Sequence, residues 1–445
     1  MIAQLLPPGP RGRSLTGNLQ EYARDQLGFL ARCAREYGDI SRFRLINVRV
    51  YLLNHPDYID YVLVRNNRNF IKSRRTREQL RFLGEGLLTS EGDFWRRQRR
   101  LAQPAFHKDR IAAYGRTMVE HTEAAVAGWQ DGRVHDVYQE MMRLTLRIAS
   151  TTLLGSDVDG QAGVIGSALD VLARRFSGPK SYLLPVPAAL PTPANRRFRR
   201  AVGQLDEVVY GIIRKRREKA EETGDLLSML LEAKDEETGE RMTDKQLRDE
   251  ALTILLAGHE TTAIALSWTF YLLSRHPVVE GKLSMELREV LGGRVPEAQD
   301  MSRLRFTGMV VKESMRLYPP AWGIGRQAVA GCEIGGYGVP AGTQLVMSPW
   351  VMHRDPRYYE DPETFDPDRW ATEAARQLPK YAYFPFGGGP RLCIGRSFAE
   401  METLLVLAAI VQKWNLKLAE VGRIEPRPSV TLRPEKGIMM MVRRR

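Results

Sequence analysis

The stretch "YFPFGGGPRLCIGRS" at residues 383–397 places one cysteine after three consecutive glycines, a proline and an arginine. The apolar run that follows is typical of a buried helix, which we expect to begin at or just past Cys393. Free amide groups and the positive end of a helix dipole lower the pKa of a thiol. The glycines allow a flat ligand to lie close to the backbone, and Arg391 offers a positive charge to anionic groups of that ligand.

Length and composition narrow the class of protein and its location. The chain has 445 residues, of which 43% are hydrophobic, enough for a substantial core. Its longest uninterrupted apolar run, at 404–411, is far below the roughly 20 residues needed to span a bilayer, so we expect no signal peptide and no transmembrane anchor. Three widely separated cysteines suit a reducing compartment, which indicates a cytoplasmic location.

The net charge of +13 predicts attraction to an acidic partner. Nucleic acid is disfavoured because the basic residues are scattered through helical segments and no nucleic-acid-binding module is recognisable. An acidic protein is therefore the expected partner.

The pattern along the chain predicts a mainly α-helical protein with small β-sheets, organised as one domain over residues 1–445 without a fused reductase. Strand-like pieces occur in the first seventy residues, as "ISRFRLI" and "RVYLLN", and again after residue 320. Helical periodicity dominates from about Asp93. The proline-rich stretch 178–195 is expected to be a surface connection or a lid over an apolar pocket.

A long helix is predicted from Thr243, which forms a capping box with Gln246, to a stop at Pro277. Up to about 33 residues would give a helix of roughly 50 Å that crosses the whole domain. Its middle reads Ala-Gly-His-Glu-Thr-Thr at 257–262, where both a glycine and a carboxylate are costly. Two interpretations remain open: a bent helix with threonine hydroxyls bonded to the preceding turn, or a site where Glu260 and Thr261 pass protons to a bound ligand.

Neither a nucleophile nor a structural zinc site explains Cys393 well, because the partners that each would need are not evident near it. A thiolate, a flat dianionic ligand and a proton relay on a crossing helix together suggest a haem iron.

These motifs resemble those of the cytochrome P-450 superfamily, the haem-thiolate monooxygenases, over essentially the whole chain. The family's loop pattern is matched by five residues: Phe386, Gly389, Arg391, Cys393 and Gly395. Its long-helix pattern is matched by five more: Ala257, Gly258, Glu260, Thr261 and Thr262. Two further elements of the family, Glu-x-x-Arg with a later arginine and Trp-x-x-x-Arg, are matched by Glu313, Arg316, Arg369, Trp95 and Arg99. Without the resemblance, these last pairs would be interpreted as surface contacts.

The resemblance implies a role for each matched residue. Cys393 would be the axial thiolate ligand of haem b, and Glu260 and Thr261 would be catalytic. The donors to the haem propionates would be Trp95, Arg99, Arg326 and Arg391. Other contacts to the cofactor would come from Phe386, Gly387, Ile394, Gly395, Ala257 and Gly258. A buried structural triad would consist of Glu313, Arg316 and Arg369. The substrate pocket would be lined by Leu88, Ala257, Ala321, Ile324 and Leu432.

The implied reaction is insertion of one oxygen atom from O2 into a hydrophobic substrate such as a fatty acid, a terpenoid or a steroid. Electrons would come from an acidic ferredoxin or flavodoxin with its NAD(P)H reductase, attracted by Arg96, Arg97, Arg100 and Arg396. Two alternatives are a peroxide-driven haem-thiolate peroxygenase, which usually lacks the acid and threonine pair, and a non-oxygenating haem-thiolate isomerase.

Overall fold

The computed structural model describes residues 5–155, 162–175, 190–219, 225–235, 239–420 and 422–445. The α-helices of these residues, numbered along the chain, are α1 (Leu19–Arg24), α2 (Gln26–Tyr37), α3 (Pro56–Asp60), α4 (Arg74–Gln79), α5 (Gly92–Ala102), α6 (Lys108–Val126), α7 (Val137–Leu154), α8 (Ala162–Arg175), α9 (Pro193–Lys219), α10 (Leu226–Glu232), α11 (Asp244–Arg275), α12 (Pro277–Leu291), α13 (Arg305–Leu317), α14 (Pro349–Met352), α15 (Glu373–Arg376) and α16 (Arg396–Lys413). A bilayer-spanning helix is absent from this described part of the chain.

The strands of the same residues are short, and all but β4 lie before residue 73 or after residue 323. They are β1 (Ile40–Leu45), β2 (Val48–Leu53), β3 (Phe70–Lys72), β4 (Val134–Asp136), β5 (Ile324–Ala328), β6 (Cys332–Ile334), β7 (Tyr337–Val339), β8 (Gln344–Met347), β9 (Trp414–Leu418), β10 (Pro426–Pro428), β11 (Leu432–Pro434) and β12 (Met439–Arg444). The fold is therefore mainly helical with small sheets, as the sequence predicts.

The strands predicted separately at the start of the chain and after residue 320 combine into one sheet, in the order β1-β2-β8-β5-β3. Strands β1 and β2 form an antiparallel hairpin, and β2 pairs in parallel with β8. At the other edge, β3 pairs with β5 so that Lys72 lies opposite Arg326. This pairing brings two cationic residues, 254 positions apart in the sequence, to the same end of the sheet.

The predicted long helix is confirmed as α11, which has 32 residues and spans about 48 Å. Its capping box forms between Thr243 and Gln246, and Pro277 opens the next helix. Most of α11 is buried against α7, α13 and α16. Ala257 is exposed in the middle of this otherwise buried helix, which marks where accessible space reaches the centre of the fold.

The sequence predicts a connection or a lid over the proline-rich stretch. Most of that stretch lies outside the described residues, which omit 176–189. Beyond it, Leu190 is 48% exposed and α9 begins at Pro193.

Candidate functional site

The cysteine loop, residues 386–395, follows a segment of short helices and turns and leads into the start of α16. Gly395 is the residue before the helix, so Cys393 lies just outside its first turn. The amide of Cys393 donates to the carbonyl oxygen of Phe386 over 3.0 Å, which closes the loop. Gly387 and Gly389 have φ angles of +72° and +66°, a region that disfavours residues with a Cβ. The glycines therefore fix the path of the backbone that presents the cysteine.

Cys393 borders accessible space beside this loop, while the surrounding protein encloses its sulfur closely. Desolvation by the surrounding protein raises the pKa of this thiol, and the amide of Gly395 and the charge of Arg99 oppose that effect without cancelling it. The expected effect of the helix end is present as the amide of Gly395, and desolvation of the sulfur outweighs it. The helix end contributes one amide to the sulfur, which is less than the cost of removing a thiolate from water. A cationic metal at the sulfur would supply the missing stabilisation.

Three cationic side chains converge next to the loop. Arg391 forms an ion pair with Glu91, and its guanidinium also donates to the carbonyl oxygen of Ser90 over 3.1 Å. Desolvation and the charge of Arg391 lower the pKa of Lys72 to about 6 and that of Arg326 to about 10. These three groups repel one another, and two carboxylates, Glu91 and Glu250, offset part of that repulsion at Lys72, so the cluster is suited to a further anionic group.

Trp95 and Arg99 lie one helical turn apart on α5 and both support the cysteine loop. The guanidinium of Arg391 stacks 4.2 Å from the ring centre of Trp95. Arg99 donates to the carbonyl oxygen of Leu392 over 2.8 Å, next to the cysteine. Both residues therefore contact the cysteine loop, and their role as donors to haem propionates stays a prediction.

The pocket-facing side of α11 consists of small residues. Ala257 is exposed, and Gly258 and Thr261 are partly exposed. The hydroxyl of Thr261 donates to the carbonyl oxygen of Ala257 over 2.6 Å, and Thr262 makes the same kind of bond to Gly258 over 3.0 Å. The threonines therefore show the back-bonded arrangement, while Thr261 keeps its hydroxyl beside accessible space.

Glu260 points into a buried polar network that the sequence analysis did not identify. Arg433 donates to its carboxylate over 2.7 Å, and Thr431 donates a second hydrogen bond. Burial alone would raise the pKa of Glu260, but the charge of Arg433 and the two hydrogen bonds hold it below its ordinary value. The neighbouring His259 is buried, which lowers its pKa to about 4, so it is neutral at physiological pH.

The predicted triad forms around the carboxylate of Glu313, which is completely buried. Arg316 donates to both of its oxygens over 2.9 and 2.8 Å, and Arg369 donates over 2.9 Å. The indole of Trp370 and the amide of Asp366 add two further bonds over 2.9 and 3.1 Å. A buried charge with this many partners is a structural support, because every lone pair is satisfied.

The predicted pocket residues differ in their exposure. Leu88, Ala321 and Ile324 are all partly exposed. Leu432 is different: its side chain is fully buried in the main core and borders no accessible space. Its backbone instead holds two elements together, because its carbonyl oxygen accepts a bond from Trp268 over 2.9 Å. Ile324 also lies near Gly387, at the cysteine loop.

The arginines expected to attract an acidic partner already have acidic neighbours. The ion pairs are Arg96 with Asp93, Arg97 with Asp235 and Glu240, Arg100 with Asp235, and Arg396 with Glu400. The local field of this surface is therefore weaker than the number of arginines in the sequence indicates.

These features fit a haem. The loop offers a thiol beside accessible space, the cluster of Lys72, Arg326 and Arg391 suits the two propionates, and the small residues of α11 leave room over a flat ring. Phe386 and Ile394 of the loop are partly buried and supply apolar contacts. Within the described residues, clustered His, Cys, Asp and Glu ligands for a bare metal ion are absent.

Comparison with known proteins identifies the family. Residues 7–442 match the family model for cytochrome P-450. Over 95% of this chain and 92% of the relative, the sequence is 40% identical to cyclooctatin synthase of Streptomyces melanosporofaciens. It is 39% identical to cyclooctat-9-en-7-ol 5-monooxygenase of the same organism, over 92% of this chain and 89% of the relative.

A solved structure confirms the fold. The crystal structure of a cytochrome P-450 haem domain superimposes with a TM-score of 0.90 at 29% identity, covering 99% of this chain and 98% of that chain. The chain therefore belongs to the cytochrome P-450 family and is an oxidoreductase.

Proposed function

We propose that this protein is a haem-thiolate monooxygenase with Cys393 as the axial ligand. The observation that carries the proposal is the position of Cys393, on a glycine-shaped loop beside Lys72, Arg326 and Arg391, whose charged forms desolvation and mutual repulsion disfavour. When bound, haem b supplies the activation of O2 and the insertion of one oxygen atom into the substrate. The amide of Gly395 steadies the sulfur, and Phe386 shields it from water.

The cationic cluster would orient the cofactor. Lys72, Arg326 and Arg391 would bind the propionates, and Trp95 would hold Arg391 in place through the stacking contact. Arg99 would act on the loop by fixing the Leu392 carbonyl group, and it would also approach a propionate. Binding an anionic group would relieve the repulsion between the cations, so cofactor binding should restore the pKa of Lys72 toward its ordinary value.

Proton delivery would use Thr261, whose hydroxyl lies beside accessible space on α11. Glu260 would be the acid behind it. Arg433 and Thr431 keep Glu260 ionised in the resting protein, so the carboxyl group must loosen from them to exchange a proton with water. Presence of the acid and threonine pair favours the monooxygenase over a peroxide-driven peroxygenase.

The substrate class that we propose is a terpenoid. The support is the 40% identity to the relative named cyclooctatin synthase and the 39% identity to the one named cyclooctat-9-en-7-ol 5-monooxygenase, together with the partly exposed apolar side chains of Leu88, Ala321 and Ile324. We leave Leu432 out of the pocket wall because it is buried. A shift of the haem absorption on titration with cyclic terpene alcohols, and a weaker response to fatty acids and steroids, would support this class; the reverse order would contradict it.

The proposed electron source is a separate acidic ferredoxin or flavodoxin with its NAD(P)H reductase. The family match over residues 7–442 supports one haem domain in this chain. Because the surface arginines are already ion-paired, reduction should slow only modestly as salt shortens the screening length below about 10 Å. A reduction rate that does not change with salt would contradict an acidic partner. The three free thiols suit a cytoplasmic location.

The direct test of the activity is a reconstituted reaction with ferredoxin, reductase, NADPH and a cyclic terpene alcohol under isotopically labelled O2. The expected product is the substrate with one labelled oxygen atom. Product formation with hydrogen peroxide but not with the reductase system would establish the peroxygenase instead, and a product without label would establish an isomerase.

A further inference from the structure

The turn between β1 and β2 is conformationally costly. Leu45 pairs with Val48, so the hairpin closes through only Ile46 and Asn47. Ile46 has φ = +56°, a value that two-residue hairpin turns require at their first position and that glycine or asparagine normally supplies. A β-branched residue at positive φ is an outlier, and such strain is retained mainly where it has a use. The side chain of Ile46 is also 42% exposed.

A second apolar side chain projects next to this turn. Leu15, at 83% exposure, lies in the loop 13–17, whose two ends pair with each other. The amide of Ile46 donates to the carbonyl oxygen of Thr16 over 3.0 Å. The guanidinium of Arg44 also bonds to the main chain of this loop and to that of the hairpin turn. The two apolar side chains therefore belong to one rigid corner, which we call the Leu15–Ile46 tip.

The two segments that form the tip are basic. Segments 5–20 and 40–54 together contain five arginines and no aspartate or glutamate, and the acidic residues Glu21 and Asp39 adjoin them. Four of these arginines are exposed, namely Arg11, Arg13, Arg42 and Arg49. Two projecting apolar side chains near several positive charges form a surface that complements an anionic, partly apolar medium.

The tip lies at the opposite edge of the main sheet from the proposed cofactor cluster. Strand β1 is one edge, and β5, which carries Arg326, is separated from it by β2 and β8. Three inter-strand spacings put roughly 14 Å of sheet between them. The tip is therefore separate from the proposed cofactor cluster.

We propose that the Leu15–Ile46 tip docks this protein on the surface of an anionic lipid bilayer. Leu15 and Ile46 would enter the region between lipid headgroups, and the arginines would contact lipid phosphates. A bilayer accepts two separate projecting side chains without a complementary pocket, whereas a protein partner needs a broad contact of about 800 Å². The proposal is independent of the haem chemistry and does not require a transmembrane helix.

The test is sedimentation of the holoenzyme with vesicles of phosphatidylcholine alone or mixed with phosphatidylglycerol. The wild-type protein should bind the mixed vesicles and bind less as salt rises. The double variant Leu15→Ser/Ile46→Asn should bind at least tenfold more weakly. Val278 and Met285 of α12 are 74% and 61% exposed, so the variant Val278→Ser/Met285→Ser is the matched control and should bind as the wild type does.

Folding of the variant is checked separately. Asparagine tolerates positive φ better than isoleucine, so Ile46→Asn should unfold at the same or a higher temperature. Replacing Arg11 or Arg13 by glutamine should weaken vesicle binding about fivefold each. The proposal is overturned if the mixed vesicles are not bound or if the α12 control weakens binding as much as the tip variant. It is also overturned if the tip variant impairs reduction by ferredoxin while leaving vesicle binding intact, which would make the tip a protein-binding site.

Discussion

Replacing Arg433 by methionine tests the buried ion pair that holds Glu260. The carboxylate side chain is 8% exposed and the guanidinium 15%, so both charges are largely removed from water. Removing one partner of a buried pair costs about 3–5 kcal/mol, and we expect the lower end, about 3 kcal/mol, because Thr431 still donates. An unfolding entropy of about 2.1 cal/mol/K per residue, over 445 residues, converts this into a fall of about 3 °C in the midpoint of thermal unfolding.

The loss of stability in Arg433→Met should depend on pH. In the wild type the pKa of Glu260 is lowered in the folded protein. The ion pair therefore stabilises the fold at pH values above the unfolded-state pKa of about 4.3. This stabilisation is lost as the pH falls through the lowered pKa of the folded protein. Without Arg433, burial raises the pKa of Glu260 instead. The variant should therefore lose about 3 °C at pH 7.5 and less at pH 5, where Glu260 can take up a proton.

Two further variants control this experiment. Arg433→Met combined with Glu260→Gln leaves no buried charge and should recover to within about 1 kcal/mol of the wild type. Arg433→Lys keeps the positive charge, and its stability should lie between those of Arg433→Met and the wild type. The reasoning is refuted if Arg433→Met is equally destabilised at both pH values, or if the double variant is no more stable than the single one.

Three other substitutions have definite expected outcomes. Glu313→Gln should lower the free energy of unfolding by about 3 kcal/mol and reduce haem retention because it breaks the triad, while Glu373→Gln, at an ion pair exposed on both sides, should change the free energy of unfolding by less than about 0.5 kcal/mol and leave haem retention unchanged, as unfolding and haem-loss assays would show. Gly389→Ala should prevent haem incorporation, since φ is +66° and the added carbon would overlap a main-chain oxygen; Gly281→Ala, in an open helical position, should retain full loading. Thr261→Ala should keep haem and substrate binding but divert NADPH into hydrogen peroxide, and tight coupling in that variant would contradict the relay.

Local sequence signals account for the elements that the sequence predicts correctly. The capping box at Thr243 and the proline at 277 define both ends of α11, since each acts through its immediate neighbours. The glycine pattern before Cys393 likewise reports a backbone requirement that glycine alone meets easily. The hairpin of β1 and β2 follows from the alternation of polar and apolar residues. The parallel pairing of β2 with β8 joins segments almost 300 residues apart, and no local sequence pattern predicts it.

The site residues that sequence reasoning missed are all partners in long-range contacts. Thr431 and Arg433 meet Glu260 across 171 and 173 residues, and Lys72 meets Arg326 through strand pairing. Their residue types are ordinary, and only the fold gives them a common location. The pKa of Cys393 shows the same limit: the helix end that lowers it is a local feature, whereas the desolvation that raises it comes from the whole surrounding structure.

The spectrum of the reduced protein with carbon monoxide tests the central claim, a bond between the sulfur of Cys393 and haem iron. The wild type and Cys332→Ser, which alters a partly buried thiol away from the loop, should both give the spectrum typical of a thiolate-ligated haem. Cys393→Ser should lose that spectrum even if haem is retained. A thiolate-type spectrum that survives in Cys393→Ser would contradict the account.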